Sequence, residues 1–478
     1  MERLLVLRNL LATRERIITA FLLIAVIGFL ASTPRMAGAD EPVHQATAWN
    51  LASEPLASKD EIGIIPAALV SDPCFSFQRD QDASCLRVDN SGENISFRVT
   101  TYPFLYFYTA LIGQKIAAIF DPAYSAFGGR LSALFIQMVI LLFAYRIFSR
   151  RDVPLMPVLL ACATSTWIFF ATVVNPSSLE ILLLFLIGIT LAAFSNGNLV
   201  APGFSDRRRL ISLGSFALLS LAASASRPIA IVWVILVVAL AFLIRADSKL
   251  GSKDWLAIIL SLLPGALFAL YWNTVQSAAL RIDSGADPTI TDHLTNFFSS
   301  LSMTHIRLLQ MQGNLGWLDT PMPISIFLLV GAIWTFCYFK IIPRGLWFRI
   351  SLVIAISIVI IPSMIEAYGY PAVGGIWWQG RYTFPVLAAM LALVLVRYGG
   401  YSSRWLPVLL FTNAISATFM LLQNTFRYNF GIANFLPIRL ADPALGEIRY
   451  YLSLLCIAAM LVLSFRLLKT RVDSKNLI

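Results

Sequence analysis

The stretch that decides the fold is Ile17-Ile-Thr-Ala-Phe-Leu-Leu-Ile-Ala-Val-Ile-Gly-Phe-Leu-Ala31, which carries no charge, followed after Pro34 by Ala39-Asp-Glu-Pro-Val-His44. An apolar run of this kind, led by the basic Arg14 and Arg16, reads as a membrane helix. Its far end meets two adjacent carboxylates, Asp40 and Glu41. Carboxylates at a membrane boundary are costly to desolvate, which makes them functional candidates. Such a pair can act as a general base toward a hydroxyl or hold a divalent cation such as Mg or Mn. It can equally be the acidic first turn of a helix, with Pro42 near its start. His44 lies three residues after Glu41, on the same face of such a helix, placed to assist proton transfer or to hydrogen-bond the acid.

The rest of the chain extends this reading. Its 478 residues are 58% hydrophobic and 13% charged, with mean hydropathy +0.75, which excludes a soluble globular protein. Apolar runs recur near 17–33, 127–148, 154–174, 178–195, 209–225, 228–245, 255–274, 322–340, 347–365, 383–398, 405–423 and 449–467. The expectation is an all-α polytopic membrane protein of about twelve transmembrane helices. Placing the N-terminus in the cytoplasm puts 22 Lys and Arg against 7 Asp and Glu inside, and 14 against 19 outside. The net +10 is therefore a topology signal with both termini cytoplasmic, and nucleic acid is not an expected partner.

The chain reads as a single membrane domain, 1–478, with two large extracytoplasmic loops at 34–126 and 275–321. Smaller outer connections fall at 366–381 and 424–447, so the elaborate face is the outer one. Residues 103–119 are apolar but short and interrupted by Lys115, and Tyr102, Tyr106 and Tyr108 are of the aromatic-belt type. They read as an interfacial or re-entrant helix. Met36-Ala-Gly-Ala39 looks like a signal-peptidase site, but the long basic N-region containing Glu2 and Glu15 favours a retained helix. Cys74 and Cys85 share the first outer loop and are expected to form a disulfide, whereas Cys162, Cys337 and Cys456 fall within helices. With three histidines and no CxxC, a zinc site is not expected.

Three arginines stand at outer helix ends: Arg130 after Gly128-Gly129, Arg227 in Ser224-Ala-Ser-Arg-Pro228, and Arg381 after Trp377-Trp-Gln-Gly380. Guanidinium groups there suit a phosphate through bidentate charge-assisted bonds. They can also snorkel to the interface or pair with an acid such as Glu180 or Glu366. Asp319, in Gly316-Trp-Leu-Asp-Thr-Pro321, fits either a substrate contact or the cap of a following helix.

These stretches resemble two known patterns. A first helix with an Asp-Glu pair at its outer end, a long outer loop with interfacial helices and a polytopic bundle resemble the GT-C glycosyltransferases. More closely, the chain resembles the bacterial predicted membrane protein family catalogued as domain of unknown function 2142. That resemblance rests on Ala39 to His44, Tyr102-Pro103-Phe104, Gly316 to Pro321 and Gln379-Gly-Arg-Tyr-Thr-Phe-Pro385. Phe104 replaces a second proline of the pattern, and Asn175-Pro-Ser177 stands where an acid is expected. The resemblance implies a bacterial plasma-membrane enzyme that moves a sugar from a polyprenyl-phosphate donor to a glycan or lipid acceptor outside the cytoplasm. Asp40 would be the general base, supported by Glu41 and His44. Arg381, Arg227 and Arg130 would bind the donor phosphate, and Tyr102, Trp317, Asp319, Gln379 and Tyr382 the substrates. A divalent cation held by Asp40 and Glu41 remains open.

No glycine-rich nucleotide loop occurs, which suits a donor arriving through the bilayer. The rival reading is a transporter or flippase of a lipid-linked glycan. Transport calls for ionisable residues near mid-membrane. Here they gather at helix ends, with Glu180 only just inside one, which favours the enzyme.

Overall fold

A computed structural model describes residues 2–54, 62–89, 92–100, 102–149, 153–195, 206–244, 250–277, 289–369, 378–399, 403–431 and 443–469. Nine helices among these are long and apolar enough to cross a membrane: Thr13–Ser32, Pro122–Ser149, Ser177–Ser195, Ser252–Thr274, Ile324–Ile341, Arg344–Tyr368, Gly380–Gly399, Leu406–Phe430 and Glu447–Lys469. Two further apolar runs form shorter helices, Leu210–Ser226 and Ala230–Leu243. The remaining run is broken in two. The protein is thus a helical polytopic membrane protein.

The elements that build the functional end are α1 (Glu2–Ser32), α2 (Glu41–Asn50), α3 (Leu105–Ala118), α4 (Ser125–Ser149), α5 (Leu155–Cys162), α6 (Ser165–Ala171) and α7 (Ser177–Ser195). Next come α8 (Asp206–Ser226), α9 (Ala230–Leu243), α10 (Ser252–Leu260), α11 (Leu263–Ser277), α12 (Ile290–Ser302) and α13 (Thr304–Gly313). The chain closes with α14 (Ile324–Ile341), α15 (Trp347–Ala355), α16 (Ile361–Gly369), α17 (Gly380–Val394), α18 (Leu406–Phe430) and α19 (Glu447–Lys469). A π turn at Ile356–Ile360 joins α15 to α16 within one span.

Helix α7 is the axis, buried along its whole length and packed on α17. Lipid tails offer no hydrophobic drive between helices, so close backbone approach must supply the packing. Gly188 of α7 does this, since a β-carbon there would lie 2.1 Å from the Ala389 carbonyl of α17. The break between α5 and α6 leaves carbonyls and hydroxyls unpaired by helix bonds, a state tolerated in a membrane only when protein satisfies them. Asn413 of α18 donates to the Leu160 and Ala161 carbonyls at 2.9 and 2.7 Å. Thr164, Ser165 and Thr166 in turn donate to the Met311, Gln312 and Gln310 carbonyls at the end of α13.

Helix α3 falls within residues 103–119, where an interfacial or re-entrant helix was expected. Its 14 residues rise about 21 Å, short of a bilayer core, and it packs beside α4. The long loop also holds an antiparallel strand pair, β1 (Ile62–Pro66) with β2 (Asn94–Arg98), Ile62 opposite Arg98. A shorter pair, β3 (Asn314–Leu315) with β4 (Thr320–Pro321), makes the hairpin of the second loop. Neither sheet was expected, and neither were α12 and α13 within 275–321. Cys74 and Cys85 are bonded, and Cys162, Cys337 and Cys456 are free and buried.

Candidate functional site

The site starts where α1 ends. Its last carbonyls lack helical partners, and two arginines supply them. Arg130 of α4 donates to the Thr33 and Pro34 carbonyls at 3.1 and 2.6 Å, and Arg449 of α19 to those of Ala31 and Thr33, each at 2.9 Å. The chain then turns through Met36 and Asp40, both with φ of 60°. Residues other than glycine hold this left-handed conformation where their surroundings over-determine it. Around Asp40 they do. The Ala39 carbonyl accepts from Asn175 Nδ2 at 3.0 Å and Arg381 Nη1 at 3.3 Å. Gly38 N donates to the Glu41 carboxylate and Glu41 N returns to the Gly38 carbonyl, both at 3.0 Å.

Asp40 occupies the cap position of α2, yet its side chain makes no cap bond. It pairs instead with Arg381 of α17, and 47% of the side chain is exposed. Burial alone would raise the Asp40 carboxyl, but Arg381 outweighs it and holds the group below the usual carboxylate range. Asp40 is therefore an accessible carboxylate that stays ionised.

Glu41 points the other way. Arg130 donates to both of its oxygens at 2.6 Å, and Val174 N adds a bond at 3.2 Å. Gln45 Nε2 adds another at 3.4 Å, and both Glu41 and Arg130 are buried. This pair joins α2, α4 and the start of α7 and turns Arg130 toward Glu41 and main-chain carbonyls. The expected support from Glu41 and the expected phosphate contact from Arg130 are thus replaced by a closed ion pair. A divalent cation held by Asp40 and Glu41 together would have to displace two guanidinium groups. Among the described residues, no cluster of three His, Cys, Asp or Glu side chains converges as a cation site.

The structure does bring Asp40, His44, Tyr102, Arg227, Arg381 and Tyr382 into one cluster. Arg381 donates to the Tyr382 hydroxyl at 3.0 Å. The Arg227 guanidinium stacks 5.0 Å from the Tyr102 ring and 4.4 Å from the Tyr382 ring. Arg227 also faces Glu180 of α7 at 3.7 Å. His44 is buried between Tyr102 and Phe107, and neither ring nitrogen has a hydrogen-bond partner. Burial pushes it down to about 3, so its imidazole is neutral at physiological pH. Burial likewise pushes the Tyr102 hydroxyl up to about 12.

The remaining candidates lie around this cluster. Asp319 caps no helix, since α14 begins at Ile324, and it pairs with Arg427 of α18 at 3.2 Å. Arg427 also binds the Gln81, Phe75 and Gln78 carbonyls, fastening the disulfide loop to the bundle. Trp317 Nε1 donates to the Met36 carbonyl at 2.9 Å, which ties the β3–β4 hairpin to the turn before Asp40. Gln379 precedes α17, and its buried Oε1 accepts no bond. Trp377 lies outside the described residues.

Four contributors stood outside the candidate set: Asn175, Arg427, Gln310 and Glu366, the last named only as a possible partner for an arginine. Asn175 clasps the Ala39 carbonyl through its side-chain amide, donates its main-chain N–H to the Tyr106 hydroxyl at 2.7 Å and accepts from Ser177 N at 3.0 Å. An Asn-Pro turn signal marks it in sequence. Arg427 was hidden because α18 runs on to Phe430, where an open loop was expected. Glu366 accepts from Arg307 at 2.7 Å and from Trp378 N at 3.1 Å. Gln310 accepts from Gly380 N at 2.6 Å, so α13 and α16 together set the start of α17 and hence Arg381.

Residues 23–390 match the profile of a family described as predicted membrane protein (DUF2142). No curated protein and no solved structure matches the chain.

Proposed function

Since this chain belongs to the DUF2142 family of predicted membrane proteins, and an accessible carboxylate meets a guanidinium at the loop-bearing end of its bundle, we propose that it is an integral-membrane glycosyltransferase. It transfers a sugar from a polyprenyl-phosphate donor to a cell-envelope glycan or lipid acceptor, with inversion. The charge asymmetry of the loops supports an extracytoplasmic position for that end, in the bacterial plasma membrane that this reading takes as its setting.

The observation that carries this reading is Asp40. A carboxylate in strained left-handed backbone, free of any capping duty and exposed beside Arg381, is arranged for chemistry. The acceptor hydroxyl oxygen attacks the anomeric carbon while its proton passes to Asp40. The bond from that carbon to the phosphate oxygen breaks on the opposite face, and its electron pair leaves with the phosphate. Arg381 and Arg227 stabilise the charge on the departing group. Neutral His44 and the Tyr102 and Tyr382 rings wall the reacting centre. Asn175 and the Glu41–Arg130 pair hold the Asp40 turn in place.

The donor reaches this end laterally from the bilayer, so no nucleotide-binding module is required. Against transport, the ion pairs sit at helix ends: Glu180 in the first turn of α7, Glu366 in the last turns of α16, Arg427 near the end of α18. The test is a deletion strain whose envelope glycans are analysed for a lost sugar. Wild type should restore that sugar and Asp40→Asn should not. An unchanged envelope in the deletion strain removes the proposal.

A further inference from the structure

Five ion pairs join described residues, and one is unlike the others. Arg130–Glu41, Arg307–Glu366 and Arg427–Asp319 are hydrogen-bonded at 2.6, 2.7 and 3.2 Å. Each is supplemented by hydroxyl or main-chain partners. Asp40 and Arg381 are in direct contact. Arg227 and Glu180 are not closed: Nε stands 3.7 Å from the carboxylate, beyond hydrogen-bonding reach. Both Glu180 oxygens, together with Nε and Nη2 of Arg227, are buried without any hydrogen-bond partner. Unfilled valences on both members of a buried pair are costly, and folding alone gives no reason to leave them.

The guanidinium plane is nevertheless fixed, by the Tyr102 and Tyr382 rings. Tyr382 also touches Arg381, at 5.0 Å, so two cations share one ring. Free N–H groups on a held guanidinium beside a second cation are what a tetrahedral oxyanion requires.

We infer that Glu180 is the resident counter-charge of an anion site centred on Arg227, steadying the guanidinium when the site is empty and opposing the anion once it binds. This rests on the phosphate-handling role proposed above for Arg227. The ligand chemistry is a phosphate monoester or diester. The carboxylate behind Arg227 keeps affinity low enough for a spent prenyl phosphate to depart. Its removal therefore tightens binding, whereas damage to the fold would weaken it.

The experiment uses the full chain in lipid nanodiscs and measures the Kd of farnesyl phosphate and of inorganic phosphate by calorimetry. With the titrations run at pH 9, where the Glu180 carboxyl is ionised in the wild type, loss of its negative charge in Glu180→Gln, several Å from the ligand, is worth roughly tenfold or more in affinity at the dielectric of a protein site. Arg227→Gln should weaken binding, and the double variant should lose the gain. Tightening for both probes marks a site for phosphate in general, and tightening for farnesyl phosphate alone marks a lipid headgroup site. Either supports the inference. Glu180→Met, also neutral and similar in volume, gives the same readout if the amide variant misfolds. Unchanged or weaker affinity in these variants overturns the role of Glu180 and leaves the transferase reading standing. If the wild type binds neither probe, the phosphate site falls with it.

Discussion

Asp40→Asn separates chemistry from folding more cleanly than any other change. Asn and Asp are the side chains most tolerant of left-handed backbone, so φ of 60° at position 40 is kept without added strain. The ion pair that is lost has one partner 47% exposed, and solvent screening limits its worth to about 1 kcal/mol or less. The Ala39 carbonyl keeps Asn175 and Arg381, and the amide oxygen can still accept from Arg381. Melting temperature and expression should therefore change little. The chemical loss is far larger, because an amide cannot take the acceptor proton, and general-base help is worth about 10²–10⁴-fold. The assay is the initial rate of label transfer from a radiolabelled prenyl-phosphate sugar in membranes of the complemented strain, normalised to protein by immunoblot. A variant that keeps more than a tenth of the wild-type rate at equal abundance would falsify the assignment of Asp40 as base. Asp40→Gly, which also suits positive φ, should fold and be equally inactive.

Arg381→Lys keeps the charge but loses the planar fork that reaches both Asp40 and the Ala39 carbonyl, and the donor KM should rise roughly tenfold. An unchanged KM would move phosphate binding elsewhere. His44 is buried neutral, with its folded value near 3, so the unfolded chain binds a proton that the folded one does not between there and about 6.5. Stability is full above that window and falls as pH drops, by about 2 kcal/mol at pH 5. His44→Phe should flatten that part of a melting-temperature profile, and an unaltered slope would assign it to other groups. Asp40 stays ionised below the ordinary carboxylate range, so transfer activity should hold as the medium is acidified from pH 7 to 5. Cys74 and Cys85 should resist alkylation until reduced, and their double replacement by Ser should loosen the Arg427-anchored loop by about 2–4 kcal/mol.

The helical class was plain in the sequence because a bilayer demands long apolar runs, and every run in 17–467 proved helical. The break at Ala163-Thr164 was not, since hydropathy averages over Ala-Cys-Ala-Thr-Ser-Thr and cannot see that Asn413, far along the chain, satisfies the freed carbonyls. The β1–β2 pair left a trace in the β-branched Ile62-Gly-Ile-Ile-Pro66, but its partner is nearly thirty residues away and pairing is a tertiary choice. Within the site, Asp40 and Arg381 were singled out together. Their neighbours Glu41 and Arg130 carry the same residue types and differ only in what surrounds them. Spacing could not tell a closed buried pair from an open one. That distinction comes from Val174, Gln45 and the main chain around Thr33, which converge from three separate parts of the chain.

The carbonyls closing α1 have an implication for how the protein is made. Thr33 is held by Arg130 and also by Arg449, and α1 packs along α19. The last helix leaves the ribosome roughly four hundred residues after the first, some 20–80 s at about 5–20 residues per second. Through that interval one flank of α1 faces lipid or an insertion factor, and the end of the helix from which Asp40 hangs is only half tethered. Nascent chains arrested before residue 447 should therefore hold the α1 end loosely, and the acidic turn should reach its final geometry as the newest segment locks against the oldest.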